Sequence, residues 1–291
     1  MKLGVFAPLQ SPQATPAMLA DLAAGAEELG LDSIWVGEHV VTVPDYQSAY
    51  PGSADGRIPI PPGAGLLDIT ASLAFLAAHT STVRLGTGIC LLPQRNPVYT
   101  AKEFATLDWL SDGRIDLGIG VGWSWEEFEA CNVPWERRGA RCDEYLEVLR
   151  SCWVDEVSSH DGEIYPLRRC HVYPKPVQRP HIPIHVGGHS DAAMARVARV
   201  GRGWYGFGTS PASTATDLAR LADHLHAAGR SLDDVQVTLT PGHRITPDDV
   251  ATYAELGVDV LAPMLSRQRH ERLPEALDVL RPLAEAANAT A

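Results

Sequence analysis

The sequence predicts a (β/α)8 TIM barrel, an α/β fold, with insertions at the C-terminal face of the barrel. Three observations lead there. Eight strand-like runs alternate with helix-length segments along the chain, and strands that alternate with helices pair in parallel through right-handed crossovers. The 291 residues suit a fold that typically takes about 250 residues as one domain. A helix–glycine–acid–strand unit, AEELGLDSIWV at 26–36, returns as AELGVDVLA at 254–262, which favours a barrel over a doubly wound sheet. A single domain over 1–291 is expected.

The strands are expected at 2–7 (KLGVFA), 33–37 (SIWVG), 83–89 (VRLGTGI), 115–119 (IDLGI), 182–186 (IPIHV), 203–207 (GWYGF), 235–239 (VQVTL) and 258–262 (VDVLA). Helices are expected at 16–29, 68–79, 98–110, 136–153, 190–200, 211–228, 248–256 and 271–286. In the segment 136–153, Cys142, Tyr145, Leu146, Leu149, Cys152 and Trp153 fall on one helical face and Arg141, Glu144, Glu147 and Arg150 on the other, the pattern of an outer-ring helix. Two stretches break the rhythm. Residues 41–67 are rich in Pro and Gly and too long for an ordinary βα loop, so they read as a lid or insertion. In 154–181, Pro174, Pro176 and Pro180 rule out a regular helix. Both insertions are expected at or near the barrel mouth.

A formal charge of -12, with 24 Lys and Arg and no dense basic run, argues against a nucleic-acid partner. No run approaches the roughly 20 apolar residues that cross a bilayer, and the N-terminus MKLGVFAPLQ does not read as a signal peptide, so a cytoplasmic protein is expected. The five cysteines are odd in number and lack CxxC spacing, which argues against a disulfide framework or zinc site. His160, His171, His181, His185 and His189 lack the spacing of a metal ligand set. The run GIGVG at 118–122 has neither the spacing nor the first-strand position of a dinucleotide fingerprint.

In a barrel of this kind the chemistry sits at the C-terminal ends of the strands. Those ends read Phe6 after the first strand, Glu38 and His39 after the second, and Gly88, Ile89 and Cys90 after the third. They continue with Val121, Gly122 and Trp123 after the fourth, then Gly187, Gly188, His189 and Ser190 after the fifth. Glu38 and His39 are the most reactive pair, a proton carrier beside a carboxylate, although neighbours on a strand point to opposite sides. The alternative is that His39 only packs under the long loop. Gly187 to Ser190 lead into a helix with Ser190 as its N-cap, an arrangement suited to phosphate or to a plain tight turn. The third strand ends in an apolar run, GICLL, where a flat apolar ligand would fit.

Taken together, AEELGLDSIWVGEHVV, VRLGTGICLLPQRNPVYTAKEFATLDWLSDGRIDLGIGVGW, RGARCDEYLEVLRSCW and YPKPVQRPHIPIHVGGHSDAAMARVARVGRGW resemble the bacterial luciferase-like superfamily, in particular its branch of oxidoreductases that use the deazaflavin coenzyme F420. The resemblance implies a TIM barrel, a homodimer, and a non-prolyl cis peptide at the bulge ending the third strand, here Gly88 and Ile89, which backs the isoalloxazine-type ring. It places Glu38 as a hydrogen-bond partner of the ring and His39 as a proton shuttle. Gly88, Ile89, Cys90, Val121 and Gly122 then hold the ring, Gly187, Gly188, His189 and Ser190 the phosphate, and Phe6 and Trp123 form substrate walls. The implied activity is hydride transfer between F420 and a small organic substrate. The alternatives are an FMN-dependent monooxygenase and a flavin-binding barrel without turnover. The chain has Trp123 where the sugar-phosphate dehydrogenases of the branch place a catalytic Glu, which argues against sugar-phosphate oxidation, and Arg202 where relatives carry an acid.

Overall fold

The structure is a computed structural model that describes residues 1–53, 55–265 and 270–290. Its centre is a parallel barrel. The staves run, in chain order, through β1 (Lys2–Leu3) and β2 (Val5–Phe6), β3 (Ser33–Val36), β4 (Arg84–Thr87) and β5 (Cys90–Leu91), and β6 (Ile115–Gly120). After the hairpin described below they continue as β9 (Ile184–Gly187), β10 (Gly203–Thr209), β11 (Gln236–Pro241) and β12 (Val260–Leu261). The first stave closes the sheet because its two halves pair at opposite edges, β1 with β12 and β2 with β3. Only the first and third staves are split, at Gly4 and at Gly88–Ile89. All eight expected strands are present.

The helices form the outer ring: α1 (Pro16–Glu28), α2 (Ile69–Ala78), α3 (Pro97–Leu110), α4 (Trp125–Ala130), α5 (Arg138–Val154), α6 (Asp191–Val200), α7 (Pro211–Ala227), α8 (Pro247–Glu255) and α9 (Leu273–Ala289). Side-chain caps set many of their starts. Thr15 accepts from the Met18 N–H, Asn96 from those of Val98 and Tyr99, and Ser190 from that of Ala193. Gly30 and Gly257, the stops of the repeated unit, have φ of +63° and +85°, a conformation that glycine adopts without steric cost. The expected apolar face of α5 is buried, but Arg141 is buried with it. Its guanidinium folds back onto the carbonyls of Pro134 and Glu136 instead of facing solvent.

The two insertions are attached at different ends of the barrel. Residues 41–67 follow a strand and cover the mouth, anchored where Leu67 N–H donates to Leu9 O at 3.0 Å and Ser11 N–H to Gly65 O at 2.9 Å. Residues 154–181 follow a helix, so they leave and re-enter the barrel at its opposite end, but their middle part reaches back toward the expected mouth side, where Glu163 pairs with Arg137 at the start of α5 and Tyr165 bonds Asn96 at the start of α3. They form the antiparallel hairpin β7 (Ser158–His160) and β8 (Leu167–Cys170), which packs against α5. The segment returns to the base of the barrel, where the Gln178 amide donates to Asp108 and to Ile115 O.

Candidate active site

The glycines at the mouth make room for one side chain. The Gly88–Ile89 peptide is cis, and Ile89 lies over the ends of the two following staves. A Cβ at Gly120 would fall 2.4 Å from Ile89 Cδ1, and one at Gly187 2.7 Å from Ile89 Cγ2. A Cβ at Gly118 would meet Thr87 O at 1.9 Å, and one at Gly88 the Tyr205 ring at 2.5 Å. The GIGVG run is therefore a clearance for the third stave. Tyr205 is itself fixed by a 2.6 Å hydrogen bond to Thr240 Oγ1.

Above this bulge lies a cavity of about 350 Å³. Of the residues expected at the site, Phe6, Glu38, His39, Gly88, Ile89, Val121, Gly122, Trp123, Gly187, Gly188 and His189 line it. Cys90 and Ser190 do not. Cys90 is fully buried beneath the bulge, and burial together with the nearby Glu38 charge pushes its thiol well above the ordinary range. The reason is the strand alternation: Ile89 faces the mouth, so its neighbour faces the core. Ser190 is spent on capping α6, as expected of an N-cap, and does not reach the cavity.

Glu38 and His39 point apart, as neighbours on an extended chain must. Glu38 turns beneath the bulge. One carboxylate oxygen accepts from Leu91 N–H at 2.6 Å and the other from Arg95, which also binds Glu103 at 2.8 Å. Burial raises the Glu38 carboxyl, while the Arg95 charge and the Leu91 N–H pull it down. We read the pair as ionised, because each carboxylate oxygen has its own donor. Glu38 thus ties the second stave to the third at the edge of the cavity, with both of its carboxylate oxygens engaged by the protein.

His39 faces two residues that follow the fourth stave. Its Nδ1 lies 3.0 Å from Glu127 Oε2, and its Nε2 accepts from the Trp123 indole N–H at 3.4 Å. The other Glu127 oxygen accepts from Val40 N–H at 2.6 Å. Glu126 binds the lid farther on, accepting from Gln47 N–H at 2.5 Å and from the Ser48 hydroxyl at 2.7 Å. Burial opposes the Glu126 charge, but the hydrogen bonds from Ser48 and the backbone outweigh it and hold the carboxyl at about 2. Trp123 packs edge-on against His39, Tyr46 and Tyr50. Beyond it lies a second chamber of about 230 Å³ under the lid, which shares His39, Trp123, Ile58 and Ile60 with the first.

Neither Glu126 nor Glu127 was expected at the site. Both sit on the short helix α4, whose signal is the sequence Ser124–Trp125–Glu126–Glu127, a serine with a glutamate three residues on, the signature of a helix start. Ser124 does cap α4, accepting from Glu127 N–H at 3.3 Å. At the opposite wall His189 lies between Asp217 Oδ2 at 2.7 Å and Phe207 O at 3.0 Å, while Arg220 donates to His189 O. Gly188, with φ of +110°, turns the chain there. Arg202 lies apart from the cavity and donates to Asp234 O.

A barrel mouth with a glycine-cleared apolar bulge, a buried His–Glu pair and a long lid is the setting in which comparison with known proteins becomes informative. The luciferase-like monooxygenase family model matches residues 1–262. The chain is 37% identical over 257 residues to an uncharacterized protein of Mycobacterium tuberculosis (strain ATCC 25618 / H37Rv), covering 87% of this chain and 88% of that one. It is 33% identical over 246 residues to the F420-dependent glucose-6-phosphate dehydrogenase of Kineococcus radiotolerans, covering 82% of this chain and 66% of that one. The fold matches the monooxygenase RslO1 of Streptomyces bottropensis with a TM-score of 0.78 at 22% identity over 99% of both chains. With the family model matching most of its length and a relative 37% identical over 87% of it, this chain belongs to the luciferase-like monooxygenase family, whose members are oxidoreductases and monooxygenases.

Proposed function

We propose that the protein is an F420-dependent oxidoreductase that moves a hydride between the deazaflavin and a small organic substrate. The observation that carries this reading is the cavity above Gly88–Ile89, with an apolar floor and His39 on its side. The lining fits a planar ring: Gly88, Gly120 and Gly187 present no side chain, and Ile89 supplies a flat apolar contact between them. In this reading Gly88, Ile89, Val121 and Gly122 hold the ring, and Gly187, Gly188 and His189 face the phosphate-bearing tail. When bound, the deazaflavin supplies the carbon that exchanges hydride. The chain's own residues do the rest. His39 moves the proton that accompanies the hydride, Phe6 and Trp123 bound the substrate, and the lid residues Tyr50, Ile58 and Ile60 exclude water.

Trp123 has neither the charge nor the acid–base range of a carboxylate, so the proposed substrate is not a sugar phosphate. The proposal includes a homodimer working in the cytoplasm. Large exposed side chains on α3, among them Tyr99, Trp109 and Leu110, support the dimer, and no described helix is long and apolar enough to cross a membrane. The second reading is an FMN-dependent monooxygenase, since a Pseudomonas putida monooxygenase of similar fold is solved in complex with FMN. Fluorescence titration of the purified protein with F420 and with FMN separates them. Saturable binding of F420, tighter than FMN, is expected. Tight FMN binding without a response to F420 would reverse the cofactor assignment, and binding of neither would overturn both readings.

A further inference from the structure

We propose that Glu127 is the positioning residue for His39, holding the ring as its Nδ1–H tautomer so that Nε2 is the proton-accepting atom presented to the cavity. This rests on the reading of His39 as the proton carrier of the site. The hydrogen bonds determine the tautomer. An indole N–H donates and cannot accept, so the His39 Nε2 that receives the Trp123 N–H carries no proton. The ring proton is then on Nδ1, where Glu127 Oε2 accepts it at 3.0 Å. Both side chains are largely withdrawn from water, with 14% of the His39 side chain and 3% of the Glu127 side chain exposed.

Glu127 is not free to turn away, because Val40 N–H holds its second oxygen at 2.6 Å. Of the other groups near the ring, the Glu38 carboxylate is committed to Leu91 and Arg95, and Tyr50 shares the cavity wall. The Trp123 contact is long at 3.4 Å, so a substrate hydroxyl exchanges with it at little cost. Glu127 then plays the part that the orienting carboxylate plays in a hydrolase triad: it fixes the tautomer and stabilises the imidazolium that forms. In the oxidative direction Nε2 would take the proton of the substrate O–H, and a deazaflavin, when bound, would supply the acceptor for the hydride of the adjacent C–H.

The test is nitrogen-15 NMR of the histidine rings in the full-length protein without cofactor, comparing wild type, Glu127→Gln and Glu126→Gln. The Nδ1–H form of His39 should dominate in wild type. Glu127→Gln should lose that dominance and populate the Nε2–H form, and Glu126→Gln should leave His39 unchanged because Glu126 bonds Gln47, Ser48 and Ser124 but not His39. A wild-type His39 in the Nε2–H form overturns the proposal even if both variants fail to fold. So does an unchanged tautomer in a folded Glu127→Gln. Since this readout needs no cofactor, its failure is distinct from a failed F420 titration.

Discussion

A single methyl group probes the mouth of the barrel. Gly187→Ala places a Cβ 2.7 Å from Ile89 Cγ2 and 3.2 Å from Ile119 O, so Ile89 must shift toward the cavity. We expect a loss of about 1–3 kcal/mol in urea unfolding, the usual cost of overpacking, together with roughly tenfold weaker cofactor binding by fluorescence titration. An unchanged affinity would detach Ile89 from the cofactor. His39→Ala should lower turnover by about 10²-fold or more, in the range of a lost general acid–base group, with cofactor affinity retained. Equal losses in both would make His39 a binding group. At this scale the strand-end residues were legible because glycine and histidine at the ends of barrel staves stand out. Cys90 departs from its neighbours because the alternation along the strand turns it inward, away from the cavity. Glu127 stayed hidden because its partner lies 88 positions earlier in the chain.

The lid and α4 behave as one element, joined through two adjacent carboxylates. Glu126 is held at about 2 against its ordinary 4.5, and a depressed carboxylate contributes stability that is complete above the ordinary value and is lost as pH falls toward the folded one. The tether to Gln47 and Ser48 should therefore be intact at pH 5 and weaken progressively between about 4.5 and 2. Limited proteolysis within 41–67 should accelerate over that window, and Glu126→Gln should be cleaved faster already at neutral pH; a rate that does not change with pH would show that the lid is held elsewhere. The eight long helices were readable to within a few residues, since their caps and apolar faces lie in local sequence. The six-residue α4 is too short to show an apolar period. The β7–β8 hairpin lies in a proline-punctuated segment whose strands of three and four residues give little alternation to detect.

Across the whole barrel, a buried polar group near the closed end supports the stack of staves. Asp116 on β6 binds Arg84 on β4 at 2.7 Å and lies 3.5 Å from His185 on β9. Burial raises its carboxyl, but hydrogen bonds from His185 and Arg84 outweigh that and leave it below the ordinary range. Asp116→Ala removes the shared partner of both groups. The expected loss is about 3 kcal/mol in urea unfolding, the low end for breaking a buried pair, because a third of the Arg84 side chain reaches solvent. A loss well under 1 kcal/mol would mean that the two groups find other partners. The barrel itself was legible from the alternation of eight strands and eight helices. The attachment of the second insertion follows from the rule that a segment after a helix returns to the bottom of the barrel, while its reach back to Arg137 and Asn96 rests on contacts distant in sequence.

The central claim is that the cavity over Gly88–Ile89 receives a deazaflavin ring. A crystal structure of the protein with bound F420 tests it most directly. The account predicts the ring lying on Ile89 between Gly120 and Gly187, with His39 beside its reacting edge and the tail running toward Gly188 and His189. Density for the ring in the chamber under the lid, or anywhere else away from Ile89, would contradict it.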